Sequence, residues 1–203
     1  RETSDASLWY GIVVEELAKA DPQGPESVFG LSTGDRQGRT VRDVLRSIAS
    51  GYLAGTPQGI RVDPDSALVW SPSHFTWMDT NHPAGTPRQG YPVEIQVLWI
   101  RLLRLLDRLG CPPAQSAEAW EILAERAEIS FHRLFWIEEL GWFADCLHAH
   151  HDHPAARAVR DNALRSNALL AIALDLVDGP KARRTVQAAQ RYLVVPGALR
   201  SLA

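Results

Sequence analysis

The stretch that most constrains the fold is PVEIQVLWIRLLRLLDRL, residues Pro92–Leu109. Apolar side chains recur there at three- and four-residue spacing, which predicts one long helix. Pro92 is tolerated in a first helical turn, Glu94 suits the helix N-terminus, and Gly110-Cys-Pro-Pro ends the pattern. A helix that is apolar over so much of its circumference must be buried on more than one side. We therefore expect the rest of the chain to pack around it.

Helical spacing recurs in several further segments, and no convincing sheet is predicted. Thr40 with Asp43 resembles a capping box, with Asp in place of Glu, and opens one of these helices. The predicted helices run from a cap at Thr3 or Ser4 to about Lys19, from Thr40 to about Ser50, and over Ala114–Phe135, Arg157–Asp178 and Lys181–Val195. The predicted fold class is all-α.

Three segments do not follow this helical pattern. Asp21–Gly38 is rich in Pro, Gly, Ser and Gln and is predicted to be a loop. Gly59–Val62 and Leu68–Trp70 can form a short hairpin around an Asp-Pro-Asp turn. Trp136–His153 is ambiguous between a strand-like turn and the start of a helix.

Composition excludes several functional classes. The chain has 203 residues, which suits one domain over 1–203, and a net charge of −3 with scattered basic residues, so nucleic acid is not an expected partner. No apolar run is long enough for a bilayer, and we expect no membrane partner. Two cysteines in unrelated contexts are predicted to be reduced, as in a cytoplasmic protein. The histidines of HAHHDHP lack the spacing of a helical zinc pair, so neither a metal nor a cofactor is predicted.

The loop that leads into the long helix is the candidate site. It runs SPSHFTWMDTNHPAGTPRQGY, too long and too aromatic for a passive or disordered connection. Asp79 follows Trp77 and Met78, and partial burial there would raise its pKa and suit a general acid. Trp77 can stack on a sugar ring. Side chains that can read hydroxyls are His74, Asn81, Arg88, Gln89 and Glu94.

Several motifs resemble one family in a consistent order. TWMD at 76–79, TPR at 86–88 and PVEIQVLW at 92–99 are similar to the glucosidase domain of glycogen debranching enzymes. The resemblance extends to DASLW at 5–9, GYLAGTPQGIRVDPDSALVW at 51–70, RSNALLAIAL at 165–174 and VVPGALRSL at 194–202. The chain departs from the family's R-P-N-Q segment, because Ser166 replaces the proline and Ala168 replaces the glutamine.

The resemblance implies an (α/α)6 barrel that hydrolyses α-1,6-linked glucose at branch points of glycogen or a related α-glucan oligosaccharide. It implies an inverting reaction in which Asp79 is the general acid. The general base would be a glutamate that follows the segment matching Val194–Leu202, and thus outside this chain; Glu94, Glu138 and Glu139 are weaker candidates within it. The implied substrate-binding residues are Asp5, Trp9, Trp77, Arg88, Gln89, Glu94 and Asn167.

Two further expectations follow from the length. A barrel of twelve helices needs on the order of 300 residues, so we expect only part of the barrel here. Half a barrel would expose inner-helix surface, which predicts a homo-oligomer. The alternatives are a non-catalytic glucan-binding or scaffold fragment, and an unrelated helical-barrel enzyme such as a cyclase or epimerase. The number of segments that match in family order disfavours the second alternative.

Overall fold

The computed structural model describes residues 3–78, 87–113 and 118–202. Within these residues about half of the chain is helical, with short strands between the helices, so the predicted all-α class is confirmed only in part. The helices are α1 (Ala6–Ala20), α2 (Pro25–Phe29), α3 (Val41–Ala54), α4 (Val93–Arg108), α5 (Trp120–Leu134), α6 (Leu170–Ala173) and α7 (Gly179–Tyr192). The strands are β1 (Arg61–Val62), β2 (Val69–Trp70), β3 (Gly90–Pro92), β4 (Trp136–Ile137), β5 (Trp142–Phe143), β6 (Cys146–His148), β7 (Val159–Asp161), β8 (Val194–Val195) and β9 (Ala198–Leu199).

The long central helix, α4, is buried on several sides, as its composition predicts. Helices α1, α3, α5 and α6 all pack against it. Trp99 is fully buried, and its indole N–H donates to the Ala67 carbonyl at 3.0 Å. Gln96 is also fully buried; its side chain accepts from the Val69 N–H at 2.7 Å and donates to the Val69 carbonyl at 2.9 Å. Helix α4 therefore fixes the β1–β2 hairpin as well as the helices around it.

The predicted capping box and hairpin are confirmed, whereas the N-cap of α1 is Asp5 rather than the predicted Thr3 or Ser4. Thr40 and Asp43 form the capping box of α3, each side chain bonded to the backbone N–H of the other. The Thr3 hydroxyl accepts from the Ala6 N–H at the start of α1, at 3.2 Å. Strands β1 and β2 pair antiparallel, with Arg61 opposite Trp70. Local sequence was sufficient in these places because caps and tight hairpins are set by neighbouring residues.

The expectation that the chain has no convincing sheet was wrong. Strands β3, β6 and β7 form a three-stranded antiparallel sheet in that order, with Gly90 opposite His148 and Cys146 opposite Asp161. Gly90 has a φ of 129°, and a Cβ built there would lie 2.1 Å from the Leu147 carbonyl oxygen. Only glycine permits this approach of the two strands. The pairing joins residues distant in sequence, so the local pattern could not predict it.

The predicted helix over Arg157–Asp178 was also wrong. This segment instead contains β7, a 3₁₀ turn over Ser166–Leu169 and the short α6. The Asp161 carboxylate accepts the Ala163 N–H at 3.0 Å, a local turn that competes with helix formation, and β7 is paired with β6. Trp136–His153, which was ambiguous, forms β4, β5 and β6.

The remaining boundaries differ in detail. The predicted loop Asp21–Gly38 contains the short helix α2. Helix α3 continues past Ser50 to Ala54, and α7 ends at Tyr192, before the β8–β9 hairpin. The predicted helix Ala114–Phe135 is described from residue 118 onward and is helical over Trp120–Leu134. In the described parts of the chain, no helix is both long enough and apolar enough to cross a bilayer. The (α/α)6 barrel stays a prediction.

Candidate active site

Arg88 lies at the centre of a buried charged cluster. Its side chain is 1% exposed. Its Nη1 and Nη2 atoms donate to the two carboxylate oxygens of Glu94, each at 2.5 Å, a bidentate pairing. Its Nε donates to Asp145 Oδ2 at 2.7 Å. The loop before β3 and the first turn of α4 are thus joined by one guanidinium to the segment before β6.

Asp145 is the residue in this cluster that the sequence analysis missed. Its carboxylate is fully buried and also accepts from Asn167 Nδ2 at 2.8 Å, while Arg165 Nε lies 3.1 Å from Oδ2. It stands in WFADCLH, among apolar residues, in the segment whose structure was ambiguous. An acidic residue between buried apolar neighbours must be paired, so the position of Asp145 in an apolar segment could have indicated a buried ion pair.

The cluster balances two carboxylates with two guanidinium groups. Burial opposes the charge of Arg88, but Glu94 and Asp145 beside it outweigh that cost and raise the pKa of Arg88. Burial raises the pKa of Asp145, because desolvation of the carboxylate outweighs the stabilisation that Arg88 gives. Such a group is stable only while every charge keeps its partner. The cluster is therefore a rigid anchor for the elements that contribute to it.

The cluster holds the segment Thr76–Met78. Arg88 Nη1 donates to the Thr76 hydroxyl at 3.1 Å. The Trp77 indole N–H donates to Asn167 Oδ1 at 3.0 Å, and Asn167 Nδ2 lies 3.1 Å from the sulfur of Met78. The Trp77 side chain is nevertheless 51% exposed, so its ring is oriented from one edge while much of its surface faces solvent. This is a suitable surface on which to stack a sugar ring.

The predicted site residues are only partly brought together. Trp77, Arg88, Glu94 and Asn167 share the cluster described above. Asp5 is buried as the N-cap of α1, and its neighbour Ser4 joins the candidate loop, since the Ser4 N–H donates to the Phe75 carbonyl at 2.6 Å.

Two predicted residues lie elsewhere, and two are not described. Trp9 is half-buried against the apolar core. The Gln89 side chain reaches the Ala149 carbonyl at 3.5 Å rather than the cluster. Asp79 and Asn81 lie outside the described residues.

Two of the three weaker candidates for a general base have other partners. Both oxygens of Glu94 are bound by Arg88 in a fully buried position, which favours a positioning role. Glu138 is bonded to Arg184 and accepts the Trp136 indole N–H at 2.6 Å, and these hydrogen bonds lower its pKa, Trp136 contributing most. Glu139 lies in the turn between β4 and β5.

The structure also bears on possible metal ligands and on the two cysteines. Among the described residues, no group of three or more His, Cys, Asp or Glu side chains is arranged to hold a metal ion. Cys111 and Cys146 are both free and buried. Burial raises the pKa of the Cys146 thiol well above its ordinary value, so this residue is a packed thiol rather than a nucleophile.

His148 makes a pH-dependent contact with Asp161. Its Nε2 lies 3.6 Å from Asp161 Oδ2 across the β6–β7 pair, and this interaction raises the pKa of His148. Because the pKa of His148 is raised in the folded protein, its contribution to stability is complete at pH values below the pKa in the unfolded chain, near 6.5. That contribution is lost as the pH rises through the pKa in the folded protein. We expect the His148 C2–H resonance to titrate above pH 6.5, and its pKa to fall in Asp161→Asn. An unchanged pKa in that variant would contradict the pairing.

Comparison with known families assigns the chain to one of them. The family model described as amylo-alpha-1,6-glucosidase matches residues 1–203. The chain belongs to the amylo-alpha-1,6-glucosidase family. A search of curated proteins gives no match. Family membership identifies the chain as a glycoside hydrolase-related domain of the glycogen-debranching type, and it confirms the family that the ordered motifs indicated.

Proposed function

We propose that this amylo-alpha-1,6-glucosidase family member hydrolyses the single α-1,6-linked glucose at branch points of glycogen or a related glucan, with Asp79 as the general acid. The observation that carries the proposal is the buried Arg88–Glu94–Asp145 cluster, because it anchors Thr76–Met78, the segment that leads directly to Asp79. The family match supplies the substrate class.

The anchoring has a catalytic purpose in this proposal. A general acid must be held within hydrogen-bonding distance of the glycosidic oxygen, and small displacements are costly. A preceding segment fixed to a buried ion-pair cluster through Arg88 and Asn167 meets that requirement better than a free loop does. Trp77, oriented through its N–H, provides the face on which the glucose ring stacks.

The proposed reaction is inverting. Asp79 donates its proton to the departing glycosidic oxygen while a second carboxylate removes a proton from a water that attacks C1 from the opposite face. The resemblance assigns that base to a glutamate beyond the segment matching Val194–Leu202. Glu94 and Asp145 are committed to Arg88, and this supports an assignment of the base elsewhere.

The decisive experiment is product analysis with the full-length source protein. A phosphorylase limit dextran is incubated in an NMR tube, and the anomeric protons of released glucose are followed from the first minutes. We expect β-glucose first, from an α-linked substrate, and no release from unbranched maltoheptaose.

Other products would contradict the proposal. Initial α-glucose would show retention, and release of longer oligosaccharides would show a different hydrolase. Tight binding of the dextran without glucose release would favour the non-catalytic glucan-binding alternative. Light scattering of the 203-residue chain alone, without dextran, tests the predicted homo-oligomer, which a monomeric mass would contradict.

A further inference from the structure

A cleft lies beside the β3–β6 pair and shares no residue with the Arg88 cluster. It has a volume of about 560 Å³. Its polar lining comes from the segment HAHHDHP and the residues around it, which the proposed hydrolysis does not use. The polar side chains that line it are Gln89, His148, His150, His153 and Arg157.

The backbone that carries these side chains is held in place by buried groups. The Trp70 indole N–H donates to the Ala149 carbonyl at 3.1 Å, and the Tyr91 hydroxyl donates to the His153 carbonyl at 2.8 Å. The Ala155 N–H donates to the Asp63 carboxylate at 3.2 Å. The segment is therefore an ordered wall of the cleft, although the side chains of His150, His151 and His153 are exposed.

The histidines divide into two groups. His148 is held between the Gln89 carbonyl, at 3.4 Å from Nδ1, and the Asp161 carboxylate. His151 packs edge-on against Trp70 and contacts Asp152. These two histidines have other protein partners, whereas the rings of the remaining two contact each other edge to face.

His150 and His153 have ring centroids 5.5 Å apart and both line the cleft. Arg157 is exposed, and no partner for its guanidinium is found among the described residues. Among the described residues that line the cleft there is no carboxylate; Asp161 pairs with His148, and Asp152 contacts His151. The described lining of the cleft thus collects hydrogen-bond donors, and the Arg157 guanidinium among them has no carboxylate partner in the described residues.

We propose that this cleft binds a phosphate monoester group. A guanidinium beside imidazole N–H groups matches the charge and the several acceptor oxygens of such a group. A neutral sugar would leave the charge of Arg157 without a partner. The phosphate could be free or carried on a sugar, and the cleft's chemistry is the same for both.

The test uses the full chain with ¹³C-labelled histidine. Inorganic phosphate, glucose 6-phosphate and uncharged maltose are titrated separately at constant ionic strength, and the ring resonances of His150 and His153 are followed. We expect saturable shifts with both phosphates. Arg157→Gln should weaken binding at least about tenfold, as expected for loss of a charge-assisted hydrogen bond. Arg183→Gln, an exposed arginine on α7, is the matched control and should bind as the unaltered chain does.

The outcomes separate the possible ligands. Tighter binding of glucose 6-phosphate than of inorganic phosphate would assign the site to sugar phosphates, and equal binding would assign it to the phosphate group alone. Shifts that do not saturate, equal weakening in both arginine variants, or a response to maltose only would overturn the proposal. None of these readouts depends on glucose release.

Discussion

Asp79→Asn is expected to lower kcat for glucose release from a limit dextran by about 10²–10⁴-fold, the contribution of a general acid. The amide cannot donate the proton that the departing glycosidic oxygen needs, but it has nearly the same shape. Dextran binding should therefore be preserved. The measurement is steady-state glucose release by the full-length source protein, with binding measured separately.

A second substrate distinguishes a general acid from a residue with another role. α-Glucosyl fluoride has a leaving group that departs without protonation, so Asp79→Asn should retain most of its activity on this substrate. Asp65→Asn, at an exposed turn of the β1–β2 hairpin, is the control and should behave as the unaltered protein on both substrates. Equal losses on dextran and fluoride would show that Asp79 is not the general acid.

Arg88→Met is expected to destabilise the fold by about 3–5 kcal/mol, the effect of removing one partner of a buried ion pair. The substitution leaves the carboxylates of Glu94 and Asp145 buried without their shared guanidinium, and it removes the bond to Thr76. Urea unfolding at pH 7 measures the change. Arg39→Met breaks an exposed pair with Asp35 and should cost about 0–1 kcal/mol.

The pH dependence of this variant tests the reason for its instability. Without Arg88, burial should raise the pKa of Asp145 further, so its protonated form is favoured in the folded state. A group whose pKa is raised in the folded state stabilises the fold at low pH, and this stabilisation is lost as the pH rises through the raised pKa. The deficit of Arg88→Met should therefore be smallest near pH 4 and largest at pH 7. If the loss of stability in Arg88→Met does not change with pH, its cause is lost packing rather than unpaired charge.

The elements that the sequence predicted well are those set by neighbouring residues. The capping box at Thr40 and Asp43, the β1–β2 hairpin and the long apolar helix α4 all follow from local spacing and turn chemistry. The predicted helix over Arg157–Asp178 failed where β7 pairs with β6 and the Asp161 side chain makes a local turn. An apolar pattern of that length does not distinguish a buried helix from a strand followed by turns.

The residues of the candidate site were likewise predicted only in part. Arg88, Glu94, Trp77 and Asn167 were selected from motifs, and the structure places them in one cluster. Asp145, which links Arg88 to Asn167, was not selected because its position in the chain carries no motif. Gln89 was selected together with the cluster residues, but its side chain lines the cleft beside the β3–β6 pair.

The sequence by itself determined the family and the central helix, because each depends on residues close together in the chain. Only the tertiary structure decided which charges are paired and which are not. It buried Arg88 between Glu94 and Asp145, and it left Arg157 beside two histidines without a carboxylate partner among the described residues. The physical reason is that burial and pairing depend on contacts between residues distant in sequence, and a pattern of neighbours does not record those contacts.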